Sequence, residues 1–143
     1  FRRTNPNELF FFKKNFPFVK VDEGVGNIFT LYEQSKLSIF LYFSTGVLES
    51  LSLDIPTIFY CPRKLINIDP AEKKYFDILN KSRILSYDEQ EFDDNIKFIL
   101  KDIKKWWSMK NVVEARNKTL NRYSKLEKKN PVLKIANLLK SLS

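Results

Sequence analysis

The chain has no histidine, one cysteine, three glycines and no long apolar run. Without histidine, a Ser-His-Asp triad or a histidine-ligated zinc cannot be built within this chain. Cys61 alone cannot close an internal disulfide, which fits a reducing cytoplasm. Gly24 and Gly26 form a GxG that lacks the third glycine of a dinucleotide fingerprint. The longest apolar stretch, around Ile39–Phe43, falls far short of the roughly 20 residues of a membrane-spanning helix. No initiating methionine precedes Phe1-Arg2-Arg3, so the expectation is a piece of a longer protein.

What is present suits a folded α/β domain: 43% hydrophobic and 29% charged residues over 143 positions. The net charge of +8 is unevenly placed. Residues 101–143 carry twelve Lys/Arg against three Asp/Glu, and the first hundred carry thirteen against fourteen. A basic tail on a neutral body is a solvated helical face or a patch for an anionic surface.

The organising stretch is Leu37–Pro62, LSIFLYFSTGVLESLSLDIPTIFYCP. Leu37–Phe43 predicts a strand covered on both faces. Ser44, Thr45 and Gly46 predict a sharp turn into a helix over Val47–Leu53, which Asp54 and Pro56 stop. Thr57–Cys61 predicts a second strand. The result is a βαβ unit, in which backbone N–H groups and the helix dipole make an anion site at the carboxyl end of the first strand. An ordinary N-cap uses the same residues, and Glu49 reads equally as a surface helix residue.

Before this unit, FRRTNP reads as a strand exit, with Arg2 and Arg3 in a loop or simply solvated. Leu9, Phe12 and Phe16 predict a helix over Glu8–Phe16 that packs into the core, although a Phe-Lys mixture also suits base stacking. Phe18–Val21 predicts a short strand, with Asp22 and Glu23 at its end as turn residues or partners for sugar hydroxyls. Asn27 caps Ile28–Ser35, whose buried stripe would be Ile28, Leu31 and Tyr32.

After the unit, Arg63–Asp69 predicts a loop over a ligand, and Pro70 opens a helix to Lys81. Ile84–Tyr87 predicts a strand. Asp88 caps a helix to about Ile103, Trp106 and Trp107 mark a packed corner, and helices follow over about 109–142, the last from Asn130-Pro131. Alternating strands and helices point to an α/β fold: a doubly wound, mainly parallel Rossmann-like sheet with C-terminal helices.

The segment STGVLESLSLDIPTI resembles the donor-binding half of GT-B glycosyltransferases. With IKKWWSMKNVVEARNKTLNRYSK, and with Arg3-Thr4-Asn5-Pro6 similar to an R-x-x-P, most of the chain resembles transferases of bacterial surface-carbohydrate loci. The resemblance implies the C-terminal domain, residues 1–143, of a two-domain cytoplasmic glycosyltransferase in surface polysaccharide biosynthesis. Ser44, Thr45 and Gly46 would hold the donor phosphate, Glu49 a ribose or sugar hydroxyl, and Arg3 would be a fixed cation. On the same resemblance the donor would be a nucleotide-sugar, with no separate cofactor and no metal. An upstream domain would bring the acceptor and the catalytic base, so this piece would not turn over alone. Two departures stand out: Gly46 occupies a place where a bulkier residue is common, and the glycine-rich loop of many such enzymes is missing. Trp106, Trp107 and Arg116 read as a clamp holding the last helices on the sheet. The alternatives are an epimerase of GT-B architecture, or a basic module in which Lys101–Lys140 recognises anionic membrane or nucleic acid. Contact with the inner membrane is compatible with the transferase reading; nucleic acid is the less expected partner.

Overall fold

The computed structural model describes residues 6–21 and 27–124. Two compact units divide the chain, residues 1–35 and 36–143. In the first, α1 spans Pro6–Asn15 and α2 spans Ile28–Gln34. The predicted strand at Phe18–Val21 is instead a turn and a bend, since Pro17 and the Val19 N–H to Phe16 carbonyl bond curl the chain. Of the expected stripe on α2, Tyr32 is buried while Ile28 and Leu31 are exposed. Phe12 and Phe16 are exposed too, which corrects the expectation that they pack into a core.

The second unit holds a three-stranded parallel sheet in the order β1 (Ser38–Phe40), β2 (Thr57–Tyr60), β3 (Leu85–Ser86). Ser38 pairs with Thr57 and Phe40 with Phe59, then Phe59 pairs with Leu85. β2 lies between its neighbours, and Ile58 and Phe59 are fully buried, as an apolar run in a parallel sheet requires. β1 is shorter than predicted and is not covered on both faces: Ile39, Leu41 and Tyr42 are exposed. Among the described residues it pairs on one side alone, and the chain bends at Leu41–Tyr42.

Around the sheet lie α3 (Thr45–Ser52), α4 (Lys73–Lys81), α5 (Glu89–Ile99), α6 (Ile103–Trp107) and α7 (Lys110–Tyr123). α4 begins three residues after Pro70, because the Asp69 carboxylate accepts from Ala71 N–H and holds a turn first. Asp88 caps α5 as expected, accepting from Glu91 N–H at 2.8 Å. The helix predicted to reach Ile103 stops at Ile99, since Asp102 caps a new helix by accepting from Lys105 N–H. That second cap re-aims the chain so that both tryptophans turn inwards. The helix expected from Asn130 lies outside the described residues.

Trp106 is 1% exposed and donates its indole N–H to the Ser82 carbonyl at 3.0 Å. Trp107 donates to Asp54, to its carbonyl at 3.1 Å and its carboxylate at 2.9 Å. The Arg116 guanidinium lies 4.0 Å from the Trp107 ring centroid and pairs with the same Asp54 carboxylate. Val112 and Ala115 of the V-x-x-A-R pattern are buried beneath. The tryptophan tract is therefore a packing device at the C-terminal end of α3.

Glu72, just before α4, ties down the end of α7. Its carboxylate accepts from Arg122 Nε at 3.1 Å, from Arg122 Nη2 and from the Tyr123 hydroxyl at 2.5 Å. These bonds, Arg122's first, hold the Glu72 carboxyl down at about 2 from an ordinary 4.5, and burial with the Glu72 bond pushes the Tyr123 phenol up. A depressed carboxylate stabilises the fold fully above its ordinary value, and that contribution disappears as pH falls towards the folded one. Wild type should therefore exceed Glu72→Gln in urea midpoint near neutrality. The gap should narrow steadily as pH falls from about 4.5 towards 2. A pH-independent gap would show that Glu72 acts through shape alone.

Candidate anion site at the carboxyl edge of the sheet

β1, α3 and β2 form a parallel strand-helix-strand crossover. Phe43 fixes its turn: the ring lies 5.5 Å from Phe59, 5.3 Å from Phe76 and 5.5 Å from Tyr123, centroid to centroid. That aromatic cluster anchors the chain one residue before Ser44, which explains an aromatic residue ahead of Ser-Thr. Ser44 is extended, with φ −135° and ψ 172°, and stands at the N-cap. Its hydroxyl makes no capping hydrogen bond, so the N-cap side chain does not close the helix start against a ligand. Ser44 and Gly46 are partly buried, Thr45 is exposed, and Glu49 is partly buried one turn along.

The other end of α3 is closed by backbone. Asp54 takes a positive φ of 57°, and Ile55 N–H donates to the Ser50 carbonyl at 3.0 Å. Aspartate is among the few residues that enter this region readily. Inside the crossover, Ser50 and Thr57 hydroxyls lie 2.6 Å apart, fully buried, and Thr57 donates to the Ile55 carbonyl at 2.7 Å. With its one hydrogen so committed, Thr57 accepts from Ser50. This pair locks α3 to β2 and thereby sets where residues 44–46 stand.

The parallel pairing puts the segment after β2 on the same edge of the sheet as residues 44–46. That segment runs Cys61-Pro62-Arg63-Lys64 and turns through a 3-10 helix over Arg63–Leu65. The Arg63 guanidinium sits 4.3 Å from the Tyr87 ring centroid, over the residue that follows β3. Burial pushes the Tyr87 phenol up while the Arg63 charge pulls against it. Among the described residues neither Arg63 nor Lys64 has a carboxylate partner. The local pattern predicts a loop here and singles out neither cation. The signal that finds them is position: basic residues directly after a strand of a parallel sheet.

The structure thus places Ser44, Thr45 and Gly46 at a helix start and Glu49 on the same helix; Arg3 lies outside the described residues. Among the described residues no cluster of His, Cys, Asp or Glu could hold a metal ion, and no helix is long and apolar enough to cross a membrane. Chemically, the edge offers helix-start amides, two hydroxyls and two cations, a set suited to an anion with several oxygens.

A family model described as "LIC12162 family transferase" matches residues 5–139. No curated protein and no solved structure matches the chain.

Proposed function

The chain belongs to the LIC12162 family of transferases, and on that premise we propose that it binds the nucleotide-sugar donor of a glycosyltransferase. The observation that carries this reading is the parallel β1–α3–β2 crossover, with Ser44-Thr45-Gly46 where strand gives way to helix. The donor diphosphate sits against the α3 start, with Arg63 and Lys64 neutralising charge that grows on the leaving group. Glu49 takes a ribose or sugar hydroxyl, and Arg3 supplies a further cation. Stabilisation by amides and cations needs no metal in this scheme. The sheet is one half of a GT-B enzyme of bacterial surface polysaccharide synthesis, working in the cytoplasm. An upstream domain brings acceptor and catalytic base.

Calorimetry with uridine, guanosine, cytidine and thymidine diphosphates tests this on the chain and on two variants. One diphosphate should bind. Arg63→Gln should weaken it about 10- to 100-fold, the worth of one charge-assisted hydrogen bond. Ser44→Ala/Thr45→Ala should weaken it about 5- to 30-fold through two neutral ones. No binding by any nucleotide, or binding indifferent to both variants, overturns the reading.

A further inference from the structure

The end of α1 and the turn after it carry a feature that donor binding does not use. Four phenylalanine rings there touch in sequence: Phe11 to Phe12 at 5.8 Å, Phe12 to Phe16 at 5.9 Å and Phe16 to Phe18 at 6.3 Å between centroids. None is buried, and Phe18 is 84% and neighbouring Phe10 68% exposed. Single exposed apolar residues are ordinary, whereas a contiguous aromatic patch marks an interaction surface.

Its charge says what covers it. Lys13 and Lys14 fill the last turn of α1 and Lys20 follows the rings. Arg2 and Arg3 precede the helix in sequence, and Glu8 is the lone acidic residue before Asp22. Aromatic rings beside lysines match the boundary between phospholipid headgroups and acyl chains, where rings enter and ammonium groups stay with phosphate.

We propose that α1 and the turn through Val21 dock the protein on an anionic phospholipid surface. This is independent of the donor site. It places the membrane contact on the first unit, not on the basic stretch after Lys101.

The test is flotation of the full chain with vesicles of phosphatidylcholine alone or mixed with phosphatidylglycerol. Binding should require phosphatidylglycerol and weaken as salt rises. Lys13→Glu/Lys14→Glu should reduce binding about ten-fold or more, because two attractive charges become repulsive. Phe16→Ser/Phe18→Ser should reduce it at low and high salt alike, with an unchanged circular dichroism spectrum. Lys101→Glu/Lys104→Glu/Lys105→Glu should bind as wild type. The proposal fails if no vesicle binds, or if the Lys101 set alone abolishes binding. It also fails if gel filtration shows a dimer that Phe16→Ser/Phe18→Ser dissociates, because a second copy would then own the patch.

Discussion

Trp106→Ala should lower the stability of the second unit by about 3–5 kcal/mol, the cost of emptying a buried tryptophan site. The side chain is almost wholly enclosed, and its indole N–H satisfies the carbonyl of buried Ser82. Removing the ring leaves that carbonyl without its donor, which adds about 1–3 kcal/mol wherever water cannot reach it. Against a typical total of about 5–15 kcal/mol, the loss takes much of the fold's margin. Trp107→Phe should cost less than Trp106→Phe, because the Asp54 carboxylate that Trp107 serves is open to water. Urea unfolding followed by circular dichroism measures both. A loss under about 1 kcal/mol for Trp106→Ala would contradict the packing role assigned to the tryptophan tract.

Thr57→Val should cost about 1–3 kcal/mol although it keeps the shape of the side chain. It strands the Ser50 hydroxyl, which has donated to Thr57 between α3 and β2. Adding Ser50→Ala should recover part of the loss, since it removes the stranded hydroxyl, while the Ile55 carbonyl still lacks the hydrogen bond that Thr57 gave it. The coupling in a double-mutant cycle should therefore be favourable to the double variant. Additive losses would mean that the two hydroxyls do not depend on each other. Because the pair fixes α3 on β2, the Thr57→Val variant should also weaken any ligand held at residues 44–46.

These two sites show what the chain disclosed in advance. β2 and α3 were legible because β-branched and aromatic residues, helical spacing and the Asp54–Pro56 stop all agree locally. The Asp88 cap was legible for the same reason. Apolar periodicity could not reveal that β1 has a single partner among the described residues. It reports what a strand can bury, while the sheet decides which strand stands at the edge. The break between α5 and α6 was hidden because Asp102 sits inside a continuing apolar period, and its capping role shows only once the tryptophans have destinations. Glu72 and Arg122 stand fifty positions apart, beyond any local pattern. Phe12 and Phe16 predict a core face that the structure leaves exposed, because apolar sequence names no partner.

The candidate site divided along the same line. Ser44, Thr45 and Gly46 read as a helix start from local pattern alone, whereas Glu49 enters the candidate site only through the resemblance. Arg63 became visible when parallel pairing put the end of β2 on the edge shared with α3. The tryptophan tract, lifted by the same resemblance, turned out to grip the opposite end of that helix.

Backbone amide resonances offer the most direct measurement. Uridine diphosphate, or whichever nucleoside diphosphate calorimetry selects, would be titrated into the labelled chain. Thr45, Gly46 and Val47 should move furthest, with Arg63 following, as the diphosphate meets the first turn of α3. Shifts confined to the far side of the sheet, or a spectrum that stays still at saturating nucleotide, would contradict the account.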